Sequence, residues 1–325
     1  MMNAFSIGLA IVMSLVGFFF LAPVKPVNST APAPVSSYEE ALARIQNIQT
    51  QEQARGDLNP VCFTKLLTHG QRAKHVIVFL HGYTSCPEQF RQLGEKFYER
   101  GYNVLIPRLP HHGPRDRLSV ELEKTTAEEM VTFANEMMDL ARGLGERVTV
   151  AGLSGGGTMA LWLAQYRSDV ELAVAMAPFV GVSYIPSPLT TAMTHWLLTA
   201  PNSFEWWNPK TREQNPGVSL YSYPRYSTRA AGEILRLGLV VQTQARKAIP
   251  SAAHILVITN ANDNAINNDE VNKFVNLWKK YGHSPVQTYQ FEQTLQLNHD
   301  FITPERLKDL KESVYSTLID LMTKE

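Results

Sequence analysis

From about Val61 onward, short apolar and β-branched runs alternate with longer segments whose apolar residues recur at helical spacing. Period-2 or continuous apolar runs predict strands, and an i, i+3, i+4 stripe predicts an amphipathic helix. On that basis Val61 to Leu67 and His75 to Leu80 read as paired strands. Tyr102 to Pro107, Arg147 to Ala151, Glu171 to Ala177, His254 to Thr259 and Val286 to Phe291 read as further strands. Pro87 opens a helix with Phe90, Leu93 and Phe97 on one face, closed by Gly101. Thr126 and Glu129 cap a second helix bearing Met130, Phe133, Met137 and Leu140. Thr158 to Tyr166 forms a third, and a helix from Pro304 to about Met322 closes the chain. Strands and helices alternating at this spacing predict an α/β fold, a mostly parallel sheet with helices on both faces.

The alternation fails between Pro178 and about Pro250. There Trp196, Trp206 and Trp207 stand among prolines, ahead of a helix-like run from Thr228 to Leu237. This stretch reads as a cap inserted over the carboxyl edge of the sheet, its aromatics forming its own small core or, as for Trp196, lining a substrate pocket. The expected organisation is an N-terminal segment 1–24, a linker and leading helix 25–60, a core of 61–177 and 251–325, and the cap 178–250. The leading helix starts at the capping-box spacing Ser37-Tyr38-Glu39-Glu40 and carries Leu42, Ile45 and Ile48.

Ala4 to Val24 holds no charged side chain, the first being Lys25, and is about the ~20 residues needed to cross a bilayer. The alanines that could precede a cleavage site, Ala22, Ala31 and Ala33, are each followed by proline. An uncleaved N-terminal transmembrane helix is therefore expected over a cleaved signal, with the catalytic domain extracytoplasmic; the alternative is a secreted or periplasmic protein. Thirty basic against thirty acidic side chains argue against nucleic acid as a partner. The two cysteines, Cys62 and Cys86, read either as one disulfide behind an export-like segment or as two reduced thiols. No metal-ligand spacing occurs.

The sharpest chemical signal is Gly152-Leu153-Ser154-Gly155-Gly156 between a predicted strand and a predicted helix. Strand, G-x-S-x-G and helix together form a nucleophile elbow: glycines permit the tight turn, and the helix N-terminus favours negative charge beside the serine. A serine hydroxyl needs a base, and the base an orienting acid, in the chain order Ser, Asp or Glu, His. Asp263 lies just past the His254–Thr259 strand, at the same sheet edge as the elbow; its alternative role is an Asx turn. His299 follows the last strand, whereas His283, His254 and His75 sit at strand beginnings. Oxyanion donors are expected from the backbone amides of Gly155 and of Tyr83, in the loop His81-Gly82-Tyr83-Thr84. His81 is a further candidate for the pocket, and a Cys62–Cys86 disulfide would brace this loop.

With these residues placed, the chain resembles the α/β-hydrolase superfamily, closest to its monoacylglycerol lipase, carboxylesterase and serine aminopeptidase-like group. Val78-Phe79-Leu80-His81-Gly82-Tyr83-Thr84, Pro107-Arg108-Leu109-Pro110-His111-His112-Gly113, the elbow, Asp263 and Asn298-His299 carry the resemblance. His111 stands where the family has glycine, and Gly155 where many relatives have Met or Gln, which should leave room beside the oxyanion hole. The resemblance implies a cofactor-free serine hydrolase acting on a small-molecule ester, acyl or lipid-like. The alternatives are a peptidase or amidase acting at a chain terminus, and a non-catalytic binding protein of the same fold.

Overall fold

The computed structural model describes residues 17, 19–20, 22–210, 212, 220–281 and 286–324. Seven strands form one twisted sheet in the order β1-β3-β2-β4-β5-β8-β9. They are β1 (Lys65–Leu67), β2 (Ala73–Leu80), β3 (Asn103–Ile106), β4 (Gly145–Leu153), β5 (Leu172–Met176), β8 (His254–Asn260) and β9 (Val286–Phe291). All neighbours are parallel except β1, which runs antiparallel to β3 with Lys65 opposite Ile106. The α/β architecture is as the patterning predicts. The first two strands, however, do not pair with each other, because β3 lies between them. Only Lys65–Leu67 of the expected Val61–Leu67 strand is extended; Pro60–Cys62 forms a single 3-10 turn.

Helices α1 (Tyr38–Ala54), α2 (Arg91–Tyr98), α3 (Ala127–Leu144) and α4 (Gly155–Tyr166) pack around the first half of the sheet. Capping starts α1 and α3 where the sequence places it: Ser37 Oγ accepts from the Glu40 amide and Thr126 Oγ1 from the Glu129 amide. Met130, Met137 and Leu140 of α3 are buried in the core.

Between β5 and β8 the chain leaves the sheet through α5 (Thr190–Thr199) and a two-stranded ribbon, β6 (Phe204–Trp206) with β7 (Arg225–Ser227). It returns along α6 (Thr228–Ala245), whose Ile234, Leu237, Val241 and Ala245 join the main core. The stretch thus divides: residues 178–210 and 220–227 stand by the cavity at the sheet edge, and α6 is a body helix. Helix α7 (Asn268–Tyr281) and the pair α8 (Pro304–Leu307) and α9 (Lys311–Thr323) complete the fold. The terminal helix expected as one piece is broken at Lys308, where φ is 50°.

The membrane anchor expected from Ala4 to Val24 is not borne out. Among the described residues no helix is long and apolar enough to cross a membrane, and residues 4–16, 18 and 21 of the run lie outside them. The end of the run and the adjoining segment pack on the protein. The Phe19 carbonyl lies 3.0 Å from His195 Nδ1 on α5, and Arg236 Nη1 donates to the carbonyls of Lys25 and Pro26 at 3.3 and 3.4 Å. Val27 and Val35 are buried in the core, and the Ala33 amide donates to Asp139. Membrane anchoring through that run, and the placement argued from it, are accordingly not supported.

The join of β4 to α4 requires glycine for steric reasons. A Cβ on Gly152 would stand 2.1 Å from the Gly156 carbonyl oxygen, and one on Gly156 2.0 Å from the Leu80 carbonyl oxygen. Backbone meets backbone there, and neither can yield. Gly156→Ala is therefore expected to destabilise the fold by at least about 3 kcal/mol in urea unfolding. Gly56→Ala, where nothing lies within 4 Å, should stay within about 0.5 kcal/mol.

Candidate active site

Ser154 occupies the turn between β4 and α4 with φ 57° and ψ −115°, a region a side-chain-bearing residue enters only when its surroundings hold it there. They do so from both sides. The Ser154 amide donates to the Met176 carbonyl at the end of β5, at 2.9 Å. Its own carbonyl accepts from Thr158 and Phe179 at 2.9 and 3.1 Å. The hydroxyl lines a cavity of about 1630 Å³ that also receives His299 and Tyr83.

His299 and Asp263 meet as the spacing predicts, with Nδ1 of the imidazole 2.8 Å from Oδ2 of a carboxylate whose side chain has no exposed surface. The Asx-turn and acid readings of Asp263 turn out to be compatible. Its Oδ1 accepts from the Ala265 and Ile266 amides at 2.9 and 3.0 Å, leaving Oδ2 for the histidine. Burial pushes this carboxyl up, but the positive charge and hydrogen bond of His299 and the two turn amides outweigh it and hold its pKa below the ordinary value.

The loops that carry Asp263 and His299 share one anchor that the sequence reading missed. Asn260, fully buried at the end of β8, donates from Nδ2 to the Leu297 and Asn298 carbonyls at 2.7 and 3.0 Å. Its Oδ1 accepts from the Asn262 amide, and its carbonyl from Asn268 Nδ2. Its place at a strand's carboxyl end, three residues before Asp263, is the only sequence signal for it.

On the opposite side, the backbone amides of Tyr83 and Gly155 make no backbone–backbone hydrogen bond among the described residues. They lie close together: a Cβ on Gly155 would be 3.4 Å from Tyr83 N. That position would also be 3.3 Å from Tyr83 Cβ and 3.5 Å from Ile234 Cδ1, so the room expected from glycine at 155 is already filled. Gln89, also unanticipated, fixes the loop from beneath by accepting from the Gly82 amide at 2.8 Å.

His81 does not reach the cavity. It is completely buried, with Nε2 accepting from the Leu109 amide at 3.1 Å and Nδ1 3.0 Å from the Gly82 carbonyl. Burial and the neighbouring His112 lower its pKa, consistent with a neutral ring bonded at both nitrogens. It ties the 81–84 loop to the 107–113 loop. Trp196 does line the cavity, half exposed, together with Trp206, Trp207 and Tyr226. Cys62 and Cys86 are joined as a disulfide with a Cα–Cα distance of 5.2 Å, connecting the turn before β1 to the loop that carries Tyr83. Among the described residues no group of three or more His, Cys, Asp or Glu is arranged to hold a metal ion.

In the 107–113 loop, His111 has φ 63°, a left-handed conformation that glycine adopts more readily than histidine. Its ring lies between Glu129 and Glu121, with nitrogen–oxygen distances of 2.9 and 3.5 Å.

A sequence profile of the alpha/beta hydrolase family matches residues 77–297. A thermostable monoacylglycerol lipase from Bacillus sp. (strain H-257) is 27% identical over 172 residues, covering 52% of this chain. The match spans 63% of that lipase, a little under two thirds of its length. A metagenome-derived lipolytic enzyme superposes with a TM-score of 0.61 at 18% identity, covering 82% of this chain and 100% of its own. The monoacylglycerol lipase of Paleococcus ferrophilus does so with a TM-score of 0.58 at 14% identity, over 80% of this chain and 97% of its own. At these identities the two structures establish the shared fold.

The loops lead to two expectations. Thiol titration of the denatured, unreduced protein should find no free sulfhydryl, because the only two cysteines are paired. The hydrogen bond to Glu129, opposed by desolvation, raises the pKa of His111. A raised folded-state pKa adds stability that is complete below the unfolded value of about 6.5 and is lost as pH rises through the folded value. The melting-temperature gap between wild type and His111→Asn, which tolerates the positive φ, should therefore be largest near pH ~6 and shrink toward pH ~9.

Proposed function

The chain belongs to the alpha/beta hydrolase family, and on that premise we propose that it hydrolyses carboxylic esters through a serine acyl-enzyme. The observation that carries this reading is the 2.8 Å bond between His299 and the buried Asp263, facing the same cavity as a serine held in a strained elbow. In this reading Ser154 Oγ attacks the ester carbonyl carbon while its proton passes to His299 Nε2. The carbonyl π electrons move onto oxygen, where the Tyr83 and Gly155 amides receive the charge. Collapse of the tetrahedral species breaks the carbon–oxygen bond, and His299 protonates the departing alcohol. Water, deprotonated by His299, then attacks the acyl-enzyme; the acid leaves and Ser154 recovers its proton. Asp263 keeps the imidazole in the tautomer that presents Nε2 to the serine, and stabilises the imidazolium.

The Bacillus relative supports an acyl-ester substrate, and so does the cavity. About 1630 Å³ exceeds the ~300–1,000 Å³ of ordinary small-ligand sites. Its upper wall is aromatic, with Trp196, Trp206, Trp207, Tyr184 and Tyr226. That aromatic wall suits an apolar acyl or lipid-like group.

A fluorophosphonate probe is expected to label the wild type and to leave Ser154→Ala unlabelled, both being folded by circular dichroism. A folded, unlabelled wild type would leave only a binding role. Asp263→Asn should lower kcat on a p-nitrophenyl ester by about 10⁴-fold through the wrong imidazole tautomer. Aminoacyl amides should be turned over far more slowly than the esters; faster amide turnover would favour the peptidase alternative.

A further inference from the structure

Thr84 follows the Tyr83 donor directly and has φ 67°, a conformation in which a β-branched residue persists only under external restraint. The restraint comes from residues 204–207 and 223–227 rather than from the sheet. Trp207 Nε1 donates to Thr84 Oγ1 at 2.9 Å, and the Tyr223 amide donates to the Thr84 carbonyl at 2.8 Å. The Tyr83 hydroxyl is held the same way, accepting from the Ser227 amide at 2.9 Å and donating to the Ser227 carbonyl at 3.2 Å. These three partners are mechanically one unit. The Trp207 amide donates to the Pro224 carbonyl, the Trp207 ring lies 4.4 Å from that of Tyr226, and β6 pairs with β7 beside them.

Among the residues of this contact, Trp207 differs in being exposed, at 43%, while also lining the cavity that holds Ser154. A ligand entering that cavity meets its ring, and the indole N–H of the same ring is bonded to the residue next to the proposed oxyanion donor. We propose that Trp207 is a positioning residue. By holding Thr84 Oγ1 it keeps the Tyr83 amide aimed at the oxyanion site, so that the placement of the β6–β7 ribbon beside the cavity sets how well the transition state is stabilised. The proposal rests on the serine-hydrolase reading of this same site. It acts through geometry alone: a preorganised donor works only where it already points.

The test compares Trp207→Phe, which keeps a ring and loses the N–H, with Thr84→Val, which is isosteric and loses the acceptor. Thr84→Ser, which keeps the hydroxyl, and the Trp207→Phe/Thr84→Val double variant complete the set. Trp207→Phe and Thr84→Val should each lower kcat on a p-nitrophenyl ester by about ten- to a hundred-fold, the cost of a slightly misplaced group, with KM within about twofold. Thr84→Ser should recover most of the loss, and the double variant should be no slower than the slower single one, because both remove one bond. Backbone deuterium exchange at residues 82–86 should quicken in Trp207→Phe and Thr84→Val and not in Thr84→Ser.

An unchanged kcat in both single variants, a rise confined to KM, or a Thr84→Ser enzyme as slow as Thr84→Val would each overturn the latch. Should Trp207→Phe fail to fold, the Thr84 pair decides the matter alone. A wild type inert to both ester and fluorophosphonate would instead sink the hydrolase reading and the catalytic role of the latch with it. An active wild type with indifferent variants would sink the latch alone.

Discussion

The first turn of α4 lies against the ends of β2 and β4 so closely that the backbone atoms of Gly152, Gly156 and Leu80 leave no space for a single added carbon. This close approach lets the chain reverse within one residue, and it is why the strained dihedrals of this turn fall on Ser154. The same proximity brings the Tyr83 amide beside that of Gly155, since Leu80 and Tyr83 lie at the strand end that the helix is pressed against. The proposed oxyanion pair and the serine thus share one steric origin.

The remaining parts of the site hang from strand ends further along the sheet, and each is fixed by a buried side chain bonded to distant backbone. Asn260 joins the loop of Asp263 to that of His299. Gln89 and His81 support the 81–84 loop from beneath, and the Cys62–Cys86 bond holds its far end. Such contacts suit a site that must stay ordered when water is partly excluded, because a buried amide or imidazole left half-bonded would cost more than the bond contributes.

The elements with a strong local period were legible in the sequence: the elbow strand, the capped α3, and the histidine and aspartate just past strand ends. What was not legible depends on spatial order. Nothing in Val61–Leu67 says that Ile106, rather than the next run, will be its partner. The break at Lys308 has no glycine to announce it, and Asn260 looks like any asparagine in an asparagine-rich loop. His81 was misplaced for the opposite reason. Its position in a recognisable motif suggested the pocket, whereas its ring is consumed by two backbone contacts. The apolar N-terminal run suggested a membrane on length alone, while the adjoining segment commits its valines and carbonyls to the body of the protein.

The sheet also ends in two unlike borders. On one side stands β1, three residues long and antiparallel to its neighbour; on the other is β9, whose Gln287, Thr288 and Gln290 are exposed. A border strand becomes hazardous when it is long, flat and greasy enough to recruit a strand from another molecule. One border here is too short to template such an addition and the other is too polar to reward it. The hydrogen-bonding rims of the sheet thus offer little foothold for a strand added from another molecule.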